Sequence, residues 1–181
     1  MDGLSEKNLQ NPIRKTQKMF HASQIVLRIL AIVSTLASSW IMVTSKQTAV
    51  VFGIQMDAKY SYASAFKFCA FANAVVCAFS LISLVTTFFL SRPKSNSANY
   101  FLLFMHDLIM MSLVLAGTAA GTAIGYVGKY GSSHAGWLAI CDSFDKFCDR
   151  VTLSLVFSYL AFLLYLILTV ITANKSRQHH L

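Results

Sequence analysis

The sequence predicts an all-α membrane protein, a four-transmembrane helix bundle with cytoplasmic N- and C-termini. Three observations predict it. Of 181 residues, 56% are hydrophobic and only 12% are charged, where a soluble domain carries roughly 25% charged residues. Four apolar runs are each long enough to cross about 30 Å of hydrocarbon, which takes roughly 20 residues. The net charge of +8 is spread through tails and loops between those runs, as in membrane proteins, and is not gathered into a nucleic-acid face.

The spans are predicted at about residues 23–45, 65–90, 100–126 and 151–173. Together they make one membrane domain, residues 23–173, between a basic tail (1–22) and a short tail (174–181). The first run is too long for a signal-peptide core and is expected to stay as an anchor. Both prolines, Pro12 and Pro93, fall outside the spans. Lys7, Arg14, Lys15 and Lys18 precede the first span, Arg92 and Lys94 lie between spans two and three, and Lys175 and Arg177 follow the fourth. This bias predicts cytoplasmic termini.

The last loop, "CDSFDKFC", holds Cys141 and Cys148, close enough to close a small ring in an oxidising compartment. Two free loop thiols are the other reading. A zinc site would have only these two thiolates and the distant His134. Cys69 and Cys77, within span two, read as small buried hydrophobes. Asp142, Asp145 and Asp149 lack EF-hand spacing and read as a solvated face.

Asp107 is the one acid inside a span and Arg28 the one base deep inside one. Spans one and three run in the same direction, and the two residues lie at nearly the same depth by the 1.5 Å rise of a helix. Unpaired charges in hydrocarbon are costly and face the bundle interior. A structural ion pair between Arg28 and Asp107 is therefore expected. Helical phase agrees, because Gln24, Arg28, Thr35 and Ser39 share one face of span one. Asp107, Val114, Thr118, Gly121 and Gly125 share a face of span three. Gly117, Gly121 and Gly125 form two overlapping G-x-x-x-G steps, predicting close helix packing. Tyr165, on span four at similar depth, is a candidate hydrogen-bond donor to the carboxylate. Asn73 is expected to bond between helices. The aromatics of the outer loops read as an interfacial belt, with Trp137 and Phe144 as candidate extracellular contacts.

The arginine of "VLRILA", the aspartate of "FMHDLIMMSLVLAGTAAGTAIGYVGKYG" and the cysteines of "GWLAICDSFDKFC" resemble the Casparian strip membrane domain proteins of plants. The resemblance is nearest to CASP-like members, group one, a family related to the four-span MARVEL proteins. It covers about Lys18 to Ala173, and Arg28, Asp107, Cys141 and Cys148 fall on family positions. It implies a plasma-membrane protein that assembles into a scaffold. The first outer loop, "KQTAVVFGIQMDAKYSYASAF", lacks the signature of strip-forming members, so lignin guidance does not carry over with the scaffold role.

The function expected is a non-enzymatic scaffold that self-associates and organises a membrane domain. The partners expected are membrane lipid, a homo-oligomer or hetero-oligomer with related family members, and secreted cell-wall enzymes, with no nucleic acid. The alternative is a channel or transporter for a small solute or ion that uses the Arg28/Asp107 pair. No nucleophile motif, carboxylate pair or metal-ligand cluster reads out of the sequence. Neither catalysis, nor a cofactor, nor a metal is expected.

Overall fold

The computed structural model describes residues 2–51, 53–90 and 97–178. Arg92, Lys94, His179 and His180 lie outside them. The elements in order are α1 (Asp2–Thr44), β1 (Lys46–Val51), β2 (Ile54–Lys59), α2 (Ser64–Leu90), α3 (Ser97–Tyr130) and α4 (Asp145–Gln178). Four stretches are long and apolar enough to cross a membrane: Ala22–Thr44, Ser64–Phe88, Phe101–Tyr130 and Asp145–Arg177. Helices satisfy every interior backbone group within the segment, which hydrocarbon demands. Each helix packs on its sequence neighbour, and α4 closes against α1. In this up-and-down arrangement α1 and α3 lie across the diagonal.

The core divides into two apolar clusters. One, on the side of the tails, joins Ala31, Val76, Met110, Val114, Ala161 and Leu168. The other, on the opposite side, joins Met42, Phe66, Cys69, Phe144, Phe147 and Leu155. Buried threonines do not disrupt this core, because each hydroxyl bonds a carbonyl of the preceding turn. Thr35 donates to the Ala31 carbonyl at 3.0 Å, Thr118 to Val114 at 2.7 Å and Thr169 to Tyr165 at 2.7 Å.

Four expectations change. The segment read as an N-terminal tail is helical from Asp2 and continuous with the first span. The third helix continues to Tyr130 and the fourth begins at Asp145 rather than Val151. The charged residues Lys146, Asp149 and Arg150 lower the hydropathy of that first turn without breaking its helix. As a result Cys148 is a helix residue, bonded to Cys141 of the loop, with Cα atoms 5.7 Å apart. The first outer loop is a β-hairpin, pairing Lys46 with Lys59 through to Val51 with Ile54. Its two-residue turn has Gly53 at φ +79, the positive φ that such turns require.

The hairpin and the last loop are tied to the bundle by specific polar contacts. The Gln47 side chain accepts from the Phe147 backbone N–H at 2.8 Å and donates to Asp145 at 3.3 Å. It thereby satisfies one of the open donors at the start of α4. Within the hairpin, Lys59 pairs with Asp57 at 3.0 Å and Thr48 donates to Asp57 at 2.8 Å. The Lys59 hydrogen bond, then that of Thr48, holds the Asp57 carboxyl below its ordinary pKa. Gly131 ends α3 at φ +71, and a Cβ there would stand 2.7 Å from the Trp137 carbonyl oxygen.

The glycines of α3 divide by role. A Cβ at Gly117 would meet the Ala72 Cβ at 2.9 Å and the Cys69 Cα at 3.3 Å. At Gly121 it would meet Leu155 Cδ2 at 2.9 Å. Both let α3 approach its neighbours, as small residues do in membrane helices. Gly125 does not share this role: its nearest neighbour would be Leu155 at 3.8 Å, an ordinary contact. Gly117→Ala is expected to destabilise the bundle by about 1–3 kcal/mol through overpacking, while Gly125→Ala leaves it nearly unchanged. Thermal unfolding of the two variants in detergent checks this; equal midpoints would refute the division.

Candidate functional site, a buried charge pair among hydroxyl layers

Each charge of the candidate pair sits six residues inside its span, counted from Ala22 and from Phe101. α1 and α3 therefore deliver Arg28 and Asp107 to one level, about 9 Å past the span starts. Arg28 is 1% exposed and Asp107 fully buried. Arg28 Nη2 donates to Asp107 Oδ2 at 2.7 Å, the short distance of a charge-assisted hydrogen bond. The pair bridges the diagonal of the bundle, so two helices that are not packed neighbours are held through their side chains.

α2 supplies the next partner. Arg28 Nη1 donates to Ser83 Oγ at 2.6 Å. His106 lies beside the pair, with Nδ1 3.4 Å from Asp107 Oδ1. Tyr165 corrects an expectation. It is buried near the pair, but its hydroxyl is hydrogen-bonded to Ser80 and not to Asp107. The remaining helix thus supports the pair through α2: Tyr165 joins α4 to α2, and Ser83, one turn beyond Ser80, holds the arginine.

A second polar layer lies nearer the hairpin. Asn73 Nδ2 donates to Ser158 Oγ at 2.7 Å and to the Cys69 carbonyl at 2.9 Å. Ser158 and Ser38 share a hydrogen bond of 2.8 Å, and Ser154 donates to the Ser38 carbonyl at 2.8 Å. This joins α1, α2 and α4 through four fully buried side chains. Asn73 stood out in the sequence. Ser38 and Ser154 did not, although a serine one turn from another on an apolar helix (Ser154 and Ser158) was the available signal.

The outer aromatics do not form one surface. Phe144 is 7% exposed and packs in the core with Phe66 and Phe147. The ring centroids of Phe66 and Phe147 are 6.2 Å apart, edge to face. Phe144 is thus core and not a contact residue, whereas Trp137 is 58% exposed. Among the described residues no group of three or more His, Cys, Asp or Glu side chains is placed to hold a metal ion.

This arrangement can be set beside known proteins. The family model described as the Casparian strip membrane protein domain matches residues 17–164. The chain belongs to that family. A CASP-like protein 1F1 of Vitis vinifera is 56% identical over 98% of this chain and 86% of its own length. A CASP-like protein 1F2 of Populus trichocarpa is 51% identical over 98% of each chain. A CASP-like protein 1F1 of Arabidopsis thaliana is 40% identical, covering 93% of this chain and 98% of its own. No solved structure matches. The family is thus one of plant CASP-like membrane proteins, and the matched region takes in the first three spans and more than half of the fourth.

Removing one partner of a buried pair leaves the other charge uncompensated, at a cost of about 3–5 kcal/mol. Arg28→Ala and Asp107→Ala are each expected to lower the unfolding midpoint strongly. The double exchange Arg28→Asp with Asp107→Arg is expected to recover part of the loss, because the Ser83 hydroxyl can donate to a carboxylate as readily as it accepts from a guanidinium. Tolerated single variants together with an unstable exchange would refute the pairing.

Proposed function

We propose that this CASP-like chain is a non-enzymatic plasma-membrane scaffold that self-associates and organises a membrane domain, to which cell-wall-modifying partners are drawn. The observation that carries this reading is the closed state of its intramembrane charges. Arg28 Nη2 is taken by Asp107 and Nη1 by Ser83, and the two charged residues are 1% and 0% exposed. Groups committed in this way hold helices together; a transported ion would need them to reach water. Family membership supports the scaffold role. The arginines and lysines preceding the first span, and a disulfide at the opposite end of the bundle, support cytoplasmic termini.

Two observations favour a second reading, transport. A recess of about 170 Å³ lined by Ser83, Thr86 and His106 borders the pair. The buried amide of Gln24, one turn before Arg28, has no hydrogen-bond partner among the described residues. A path that used these groups would pass close to Asp107.

Single-molecule tracking in a plant plasma membrane, with native mass of the extracted protein, separates the two. A scaffold is expected to be slow and oligomeric, and to lose both properties in Arg28→Ala and Asp107→Ala. A mobile monomer whose Asp107 variants change solute flux without change in assembly would overturn the scaffold reading. Protease access to terminal tags on sealed vesicles is expected to place both ends in the cytoplasm; cleavage from outside would reverse the orientation.

A further inference from the structure

On the hairpin side of the bundle lies a cleft of about 800 Å³, within the roughly 300–1,000 Å³ of small-molecule sites. Its walls are α3 and α4, and its roof is β2 together with the loop between α3 and α4. The lining is mostly apolar. Along α4 it runs from Phe147 to Tyr159, about 18 Å of helix. One leaflet with its headgroups is roughly 20–22 Å deep. The cleft therefore reaches from the membrane surface toward the middle of the bilayer.

Its two ends differ. At the deep end Thr122 and Tyr159 close it, their hydroxyls 3.1 Å apart. At the mouth stand Lys59, Lys129, Tyr62 and Trp137. Lys59 is paired with Asp57. Lys129 lies over the Tyr130 ring, 5.6 Å from its centroid, and no carboxylate of the described residues pairs with it. The mouth thus offers a net positive charge above an apolar slot. Gly125 lines that slot, and a Cβ there would touch only Leu155 Cδ1, at 3.8 Å.

We propose that this cleft holds the acyl tail of a membrane phospholipid, with its phosphate at Lys129. The length and lining suit a tail: the mostly apolar slot follows about 18 Å of α4, close to the depth of one leaflet. The charge chooses a phosphate, since a lysine ammonium is a point-charge partner for that group. Burial of a tail also accounts for the glycine at position 125, which close helix packing does not.

The test uses the full chain in phosphatidylcholine vesicles containing phosphatidylglycerol with a diazirine on its acyl chain. Photolabelling is expected on residues 122–129 and 152–159, with one phosphatidylglycerol retained in native mass spectra after extraction. Gly125→Leu fills the slot and is expected to abolish both signals. Lys129→Ala is expected to cut retention about tenfold, the loss of one charge-assisted hydrogen bond, and Lys129→Arg to keep it. Unfolding midpoints near wild type for Gly125→Ala and Lys129→Arg show that the fold tolerates change there. Label spread equally over the lipid-facing Val33 and Phe71, and insensitive to Gly125→Leu, would overturn the proposal. So would equal retention of diacylglycerol, which lacks the phosphate, or a dimer that carries no label in the cleft.

Discussion

A carboxylate enclosed in hydrocarbon must be answered by a positive charge at the same depth, and the bundle is arranged around that demand. Asp107 has no access to water and neither has Arg28. Their attraction is strong because the surroundings are of low dielectric, and for the same reason neither tolerates the loss of the other. The contact acts across the diagonal, between α1 and α3. It fixes the relative height and rotation of two helices that are not packed neighbours, which the pairing of neighbours leaves loosely determined. Ser83 extends the constraint to α2, and the Ser80–Tyr165 contact carries it on to α4.

The rest of the interior follows from the weakness of apolar packing as a source of specificity in lipid. Hydrocarbon tails are as apolar as leucine, so association depends on close contact and interhelical hydrogen bonds. Gly117 and Gly121 provide the first, and the Asn73–Ser158–Ser38–Ser154 layer the second. Polar layers at two depths, with apolar clusters around them, make a shifted helix register costly. Outside the lipid the logic changes. There the hairpin, the Gln47 contact to the start of α4 and the Cys141–Cys148 bond build a cap, and that cap roofs the cleft.

Much of this was legible in the residues. The four spans were visible because hydrocarbon imposes a length and a composition on each. Arg28 and Asp107 stood out because charge is so rare within a span that each must find the other. The hairpin was missed although "TAVVFGIQM" carries β-branched residues around a glycine turn, since its alternation is weak: Val50, Ile54 and Met56 are all exposed. The start of α4 was missed because hydropathy reports lipid and not helicity. Phe144 read as surface because loop aromatics usually are, yet it is held inward by the short segment between Cys141 and the start of α4.

The sequence by itself determined the class, the number of spans, the polar face of each helix and the depth of its charges. Those follow from period, length and the price of charge in oil, all of which are local. Only the tertiary structure decided that the charged helices face each other across the diagonal and that Tyr165 serves Ser80 and not Asp107. It alone separated Gly125, which opens a cleft, from Gly117 and Gly121, which close a gap. These are questions of which neighbour stands opposite a side chain, and no one-dimensional pattern carries that distance.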